Sequence, residues 1–289
     1  MSEILITGSA GQLGNEISKL SVNYPQHHFI FTDVKELNIA KKRDVENFFN
    51  QRKIDFIVNC AAYTAVDLAE KEKELSTLIN STAVKNLAQI SAQFNATLIH
   101  ISTDYVFDGR NYKPYNEDDP TNPISWYGKT KLEGEIQLNN FAKDALIIRT
   151  SWLYSEFGKN FVKTIIRYAQ ERDFLNVVSD QVGTPTYAND LASTILQIIS
   201  NYKKNYLTQT YHFSNEGVIS WYDFAKAIVE LKKIECIINP IETKDFPTPA
   251  ARPIYGVLNK AKIKTNYGLL IPYWRDSLID CLNKMDFEN

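Results

Sequence analysis

The feature that most constrains this chain lies at its start, where the apolar run Ile4-Leu5-Ile6 leads into Thr7-Gly8-Ser9-Ala10-Gly11-Gln12-Leu13-Gly14 and then straight into a helical pattern. Glycine recurs every third residue, at Gly8, Gly11 and Gly14. A strand that must turn sharply into a helix needs a residue free of the Cβ penalty. A pyrophosphate lying on the helix N-terminus needs bare N–H groups, and the last glycine lets helix and strand pack closely. Nineteen residues after Gly14, at the end of the next apolar run, stands Asp33, where an acidic side chain can hydrogen-bond an adenosine ribose. Together these place a dinucleotide on the first strand–helix turn of an α/β fold.

The rest of the first half agrees. Ile4–Thr7, His28–Thr32, Asp55–Asn59, Thr97–Ser102 and Ala145–Arg149 are short, nearly continuous apolar runs, as expected of strands buried on both faces of a parallel sheet. Helical spacing fills the gaps, at Leu13–Leu20, Asp44–Arg52, Leu75–Phe94 and Trp126–Phe141. Such alternation predicts a doubly wound parallel sheet of Rossmann type. Farther on, Phe157–Gln170 and Ala188–Asn201 read as helices and Thr210–Ser214 as a strand. From about Val218 the pattern loosens, and four of the ten prolines fall between Pro240 and Pro253. The expected division is a dinucleotide-binding core at 1–155, rejoined by 172–214. A smaller C-terminal substrate-binding lobe is expected from 156–171 and 215–289, over the carboxyl ends of the strands.

Charge and cysteine content exclude several classes of function. A net charge of −2 gives no bulk electrostatic grip on nucleic acid or an anionic membrane. No stretch approaches the length of a membrane span. The opening Met1-Ser2-Glu3 leads directly into an apolar run too short for a signal sequence, and Cys60, Cys236 and Cys281 lack the spacing of a zinc site or a disulfide framework. A reducing cytoplasm is expected.

Tyr127 and Lys131 stand four apart on a predicted helix, hence on one face. A tyrosine that protonates a carbonyl oxygen must become tyrosinate from an unperturbed pKa of about 10, and a nearby ammonium favours that anion. Spacing alone decides little: with 16 tyrosines in a lysine-rich chain of 289 residues, about one such pair arises by chance, and Tyr222 with Lys226 is another. Position separates them, because Tyr127 follows the fourth strand while Tyr222 begins a helix of the second half, beyond the topological centre of the fold. That strand ends His100-Ile101-Ser102-Thr103-Asp104-Tyr105-Val106-Phe107-Asp108-Gly109. A hydroxyl there points into the ligand crevice, so Thr103 is expected beside Tyr127 at a substrate carbonyl, and Ser102 as a strand-end cap.

The glycine turn, Asn59-Cys60-Ala61-Ala62-Tyr63-Thr64-Ala65-Val66-Asp67, the strand-four motif and Tyr127-Gly128-Lys129-Thr130-Lys131 together resemble the dTDP-4-dehydrorhamnose reductases of the extended short-chain dehydrogenase/reductase superfamily. Arg149-Thr150-Ser151-Trp152-Leu153-Tyr154 and Gly183-Thr184-Pro185-Thr186 extend the likeness over nearly the whole chain. The resemblance implies reduction by NADPH or NADH of the 4-keto group of a dTDP-linked 6-deoxyhexose, giving dTDP-L-rhamnose for cell-wall polysaccharide or O-antigen. It implies Tyr127 as proton donor, Lys131 as its electrostatic support and a ribose ligand, and Thr103 at the carbonyl oxygen. Gly8, Gly11, Gln12, Leu13, Gly14, Asp33, Ala61, Ala62 and Tyr63, with Tyr127 and Lys131, would hold the coenzyme. Asp104, Tyr105, Trp152 and Arg252 would join Thr103 around the nucleotide sugar. Asp33 would repel a 2′-phosphate and Lys35 would offset it, so both coenzymes stay open.

The sequence departs from the family pattern in places. Asn38-Ile39 stands where an Asp usually precedes the apolar residue, and Leu68 replaces a commonly basic one. Some members carry a magnesium ion between the subunits of a homodimer. Glu16 occupies one such carboxylate position and is a weak candidate ligand, but Asn189-Asp190 supplies one acid where more are preferred, which counts against Mg²⁺ and that dimer. Two competing readings exist. A 4,6-dehydratase would follow the strand-four Thr with Asp-Glu, and Tyr105 stands there instead, whereas a 4-epimerase of this fold is not excluded by motif. A non-catalytic, reductase-like regulatory subunit would be free to lose Tyr127 or Lys131, and both are present.

Overall fold

The computed structural model describes residues 2–287. Its first half runs β1 (Ser2–Thr7), α1 (Gln12–Ser21), β2 (His27–Thr32), α2 (Lys42–Asn50) and β3 (Phe56–Asn59). The short helices α3 (Val66–Ala69) and α4 (Lys73–Thr77) follow, then a π-helical turn at Leu78–Thr82 that leads into α5 (Ala83–Phe94). Next come β4 (Thr97–Thr103), α6 (Trp126–Phe141) and β5 (Ala145–Thr150). The expected strands are therefore present, and the long helix expected over Leu75–Phe94 carries the π-turn inside it.

The second half holds β6 (Leu153–Tyr154), α7 (Phe161–Glu171), β7 (Phe174–Val178), β8 (Val182–Gly183), β9 (Thr186–Tyr187), α8 (Ala188–Asn201) and β10 (Thr208–His212). It ends with β11 (Ile219–Ser220), α9 (Trp221–Leu231), β12 (Ile237–Ile241), α10 (Ala261–Tyr267) and α11 (Trp274–Phe287).

The main sheet has six strands in the order β10-β5-β4-β3-β1-β2, and every pairing is parallel. Side chains alternate across it. Ile4 and Ile6 of β1 pack with Leu13 and Ile17 of α1 and Leu191 and Ile195 of α8. Leu5 packs on the opposite face with Val45 and Phe49 of α2 and Val84 and Leu87 of α5. Both faces are thus covered, which is why the strands read as continuous apolar runs. The chain moves from β1 outward to β2 and then back past β1 to β3, so the crevice between the carboxyl ends of β1 and β3 is the switch point where ligands bind.

Of the segment expected to rejoin the core, α8 and β10 pack on the main sheet, whereas β7 pairs in parallel with β12 in a separate two-stranded sheet. A third core joins α7, α9 and α11 through Val162, Ile165, Phe224, Ile228 and Leu278. Helix α7 begins at Phe161, four residues later than expected, because the Asn160 side chain accepts from Lys163 N at 3.1 Å and caps it. Helix α9 starts with a reciprocal cap between Ser220 and Asp223 and carries Tyr222. Among the described residues no helix is long and apolar enough to cross a membrane.

Candidate active site

The turns after β1 and β3 nearly touch. Gly8 has φ +66°, and a Cβ there would lie 2.6 Å from both Cα and N of Ala61. A Cβ on Gly14 would meet Ser9 Cα at 2.5 Å, so that glycine is required by packing of α1 against the turn. The resulting cleft, of about 280 Å³, is lined by Thr7, Gly8, Gly11, Asp33, Asn38, Ile39, Ala61 and Ala62 among others. Asp33 closes one end, its carboxylate accepting from Ala10 N at 3.2 Å and Val34 N at 2.7 Å. A bare-backbone cradle beside a half-buried acid fits a dinucleotide, with its diphosphate on the turn and its adenosine ribose at Asp33.

Of the other residues expected at the coenzyme, Leu13 has its side chain in the core beneath the turn, so only its backbone faces the cradle. Gln12 accepts from Asn160 Nδ2 at 3.0 Å. Tyr63 has its backbone N and O both held by Asn80, while its phenol donates to Glu72 at 2.7 Å. Asn80 sits in the π-helical turn and also bonds Thr130 of α6, so this irregular turn ties the β3 loop to α6.

Tyr127 and Lys131 occupy the first two turns of α6, which starts where Ser125 Oγ accepts from Gly128 N at 3.2 Å. Gly128 allows the helix to approach the β4 loop, since a Cβ would fall 2.3 Å from Tyr105 O. Both side chains are buried. Burial pushes the Tyr127 phenol up to about 12, against a hydrogen bond with Thr103 that lowers it, and the charge of Asp104 adds to the rise. Burial likewise pulls Lys131 down to about 8, opposed by Glu135 and Cys60. Its ammonium donates to Ile101 O at 2.6 Å and lies 3.4 Å from His100 Nε2.

The end of β4 supplies the remaining polar groups. Thr103 Oγ1 accepts from Tyr105 N at 3.2 Å and donates to Asp104 Oδ1 at 3.1 Å. Asp104 is buried, its carboxylate directed at Gly256, where a Cβ would come within 2.5 Å of Oδ2. That burial pushes its pKa up to about 7. The Tyr105 ring meets Tyr127 edge-on, centroids 5.5 Å apart. Ser102 turns the other way and donates to Glu135, which is locked to Arg149 at 2.7 Å in a buried ion pair. This network fastens α6 to β5.

Trp152, just beyond β5, adopts φ +47°, a left-handed conformation rare for a large residue. Its ring stacks on Trp221 of α9 at 3.6 Å and rests against Gly183. Sequence reasoning named Trp152 and missed Trp221, which carries no motif and whose role depends on a contact across 69 positions. Arg252 is held by Asp67 in a two-bond ion pair at 2.8 and 3.1 Å, a partner absent from the expectation for it. The pair joins the α3 region to the segment that covers the β4 loop.

Glu16 lies apart from this crevice, buried on α1. It accepts from Ser155 at 2.6 Å and Asn189 at 2.9 Å and shares a hydrogen bond with Glu156. Burial first, and Glu156 next, push Glu16 up to about 7. Glu156 is buried too, yet hydrogen bonds from Glu16, Lys19 and Tyr187 hold it down at about 2. Of the two carboxyl groups, Glu16 is the one that keeps its proton more readily. Among the described residues no group of three or more His, Cys, Asp or Glu side chains is arranged around a metal position.

A parallel doubly wound sheet, a glycine cradle at its switch point and a buried Tyr–Lys pair behind the fourth strand define an extended short-chain dehydrogenase/reductase, a class of oxidoreductases. The family model described as the RmlD substrate binding domain matches residues 1–287, and the chain belongs to that family, the dTDP-4-dehydrorhamnose reductases. It is 41% identical over 289 residues to dTDP-4-dehydrorhamnose reductase of Aggregatibacter actinomycetemcomitans, covering 96% of this chain and 97% of that one. The Bacillus subtilis spore coat polysaccharide biosynthesis protein SpsK is 39% identical, with 98% of each covered. Among solved structures, a dTDP-4-dehydrorhamnose reductase of Clostridium acetobutylicum superposes with a TM-score of 0.93 at 43% identity, covering 98% of this chain and 99% of that one. The Bacillus anthracis dTDP-4-dehydrorhamnose reductase in complex with NADP also gives 0.93, at 37% identity, covering 98% and 100%.

Proposed function

We propose that this chain reduces the 4-keto group of dTDP-4-dehydrorhamnose to the alcohol of dTDP-L-rhamnose, using NADPH or NADH. The observation that carries the reading is Tyr127 buried against the carboxyl end of β4, its ring edge-on to Tyr105, whose N–H bonds Thr103, with β4 two strands from the glycine cradle of β1. The reduced coenzyme supplies the hydride. Tyr127 gives its proton to the carbonyl oxygen, and Thr103 holds that oxygen with a second hydrogen bond. A phenol raised to about 12 is a reluctant acid, so the charge of Lys131 must favour the phenolate as it forms, while the single Thr103 proton turns from Asp104 to the substrate oxygen. General-acid help of this kind contributes about 10²–10⁴-fold.

Trp152 and Tyr105 supply the walls of the sugar site, and Arg252 reaches the diphosphate by exchanging one of its bonds to Asp67. The coenzyme-binding body in this reading is 1–155 with α8 and β10, and the substrate lobe is the remainder. Three free, separated cysteines support a reducing cytoplasm as its location.

The test is the loss of reduced-coenzyme absorbance with dTDP-4-keto-6-deoxy-L-lyxo-hexose, generated in situ by a dehydratase and an epimerase. Stoichiometric oxidation is expected, with at least a hundredfold lower kcat for Tyr127→Phe and unchanged coenzyme binding. Full turnover by Tyr127→Phe would overturn the assignment.

A further inference from the structure

Behind Lys131 lies a row of buried polar groups that the proposed reaction does not use. Thr7, Asn59, His100 and Lys131 come from β1, β3, β4 and α6, and all are buried. Thr7 Oγ1 lies 2.7 Å from Asn59 Oδ1, Asn59 Nδ2 lies 3.0 Å from His100 Nδ1, and His100 Nε2 lies 3.4 Å from Lys131 Nζ. The row therefore starts at the coenzyme cleft, which Thr7 lines, and ends on the lysine beneath Tyr127.

Donors and acceptors must alternate along such a chain. An ammonium has three protons and no lone pair, so a charged Lys131 needs the lone pair of His100 Nε2. The imidazole proton then sits on Nδ1, and Asn59 must turn its amide oxygen toward it. A neutral lysine amine has a lone pair, and the polarity reverses: Nε2–H donates to Nζ, and Nδ1 accepts from Asn59 Nδ2, the amide orientation in the structure, where Thr7 Oγ1 donates to Asn59 Oδ1. The Thr7 hydroxyl both donates and accepts, so it completes either arrangement. His100 stays neutral in both, because burial, and then the charge of Lys131, hold its pKa well below the usual histidine range. Passing from the first arrangement to the second releases one proton to solvent. Lys131 goes from ammonium to amine while the imidazole changes tautomer.

We propose that Asn59 and His100 are positioning residues that keep Lys131 charged by offering it the Nε2 lone pair, and that their hydrogen bonds reverse when Lys131 loses its proton. The proposal rests on the reading of Lys131 as the electrostatic support of Tyr127. The other titratable groups near Lys131 are Glu135 from its own helix, whose charge favours the ammonium, and Cys60 just beyond β3. Burial pushes the Cys60 thiol up to about 12 and so keeps it neutral, leaving His100 as the partner whose hydrogen bond changes.

The first readout is the pH dependence of kcat. In His100→Leu the ammonium loses an acceptor, so the alkaline limb should move down by about one pH unit, a tenfold loss of rate on that side. His100→Gln, whose side-chain oxygen can accept from Nζ, should restore the limb. Coenzyme affinity should stay within about twofold in both variants. The second readout needs no turnover: nitrogen NMR of ¹⁵N-labelled histidine in the wild type, with His100 assigned by its loss in His100→Gln. The resonance pair should switch from the Nδ1–H to the Nε2–H tautomer as Lys131 titrates. A single tautomer from pH 6 to 10, or an unmoved alkaline limb in a folded His100→Leu, overturns the proposal. Should His100→Leu fail to fold, the wild-type spectra decide. Should the wild type not reduce the keto-sugar, the function proposed above fails while the NMR test of this chain of bonds still stands.

Discussion

The buried ion pair between Arg149 and Glu135 yields a quantitative expectation. Their side chains are 6% and 3% exposed, and the guanidinium gives Nε at 3.0 Å and Nη2 at 2.7 Å to the two carboxylate oxygens. Nη1 adds a bond to Glu117 O at 3.2 Å. Replacing Arg149 by Met keeps most of the volume but leaves Glu135 buried with Ser102 as its remaining side-chain donor. Stranding one member of such a pair costs about 3–5 kcal/mol, which for a chain of this length is a fall in Tm of about 5–8 °C. The double variant Arg149→Met with Glu135→Leu strands no charge and should regain most of that loss, the remaining deficit being the unpaired Ser102 hydroxyl and the lost bond to Glu117 O.

Urea unfolding followed by tryptophan fluorescence, compared at constant m, measures both. A single variant that loses less than about 1 kcal/mol would refute the reasoning, as would a double variant no better than the single. Because Glu135 sits one turn beyond Lys131 and favours its charge, Glu135→Leu alone should also move the alkaline limb of kcat downward.

Asp104 carries a folded-state pKa of about 7, raised from 3.8 by burial. Its contribution to stability should therefore be lost as pH rises from about 4 to about 7, since ionising it in place costs energy that the unfolded chain does not incur. Asp104→Asn should match the wild-type Tm near pH 4 and exceed it increasingly up to pH 7, while weakening sugar binding; a constant offset across that window would contradict this account. Gly8→Ala adds a Cβ 2.6 Å from the Ala61 backbone at φ +66°. It should weaken coenzyme binding at least tenfold by fluorescence titration, and affinity within about twofold of wild type, with Tm unchanged, would show that the turn is not held by this contact.

The parallel sheet was legible because strands buried on both faces leave an apolar run that few alternatives explain, and β1 to β5 fall where Ile4–Thr7 through Ala145–Arg149 place them. The lobe was not. β7 and β12 pair across 63 residues, and Phe174 and Ile237, opposite one another, are both exposed, so neither strand shows clean alternation. Helix α9 was legible at its start, where Tyr222 begins the expected helix, but not in its packing, because its apolar face is aromatic and meets Tyr154, Phe161 and Trp274, partners scattered along the chain. Residues brought together by local spacing or by one strand end, such as Tyr127, Lys131 and Thr103, were named from sequence. Those that act across strands, such as Asn59 and His100, were not.

His100 shows why. In the run Thr97-Leu98-Ile99-His100-Ile101 it is the one basic side chain in an apolar strand. A strand residue normally earns its place by fitting a buried surface, and a buried imidazole is satisfied by any donor and acceptor that happen to lie at its two nitrogens. Here those partners come from neighbouring strand β3 and from α6, at registers fixed only when Asn59 pairs with His100 across the β3–β4 ladder. The same register places the Gly8 and Ala61 turns in contact one strand over. The coenzyme cradle and the environment of Lys131 are thus set by one alignment of three adjacent strands. A substitution that shifts β3 by a fraction of an ångström should disturb coenzyme binding and the lysine together, whereas one in α6 beyond Lys131 should disturb the lysine alone.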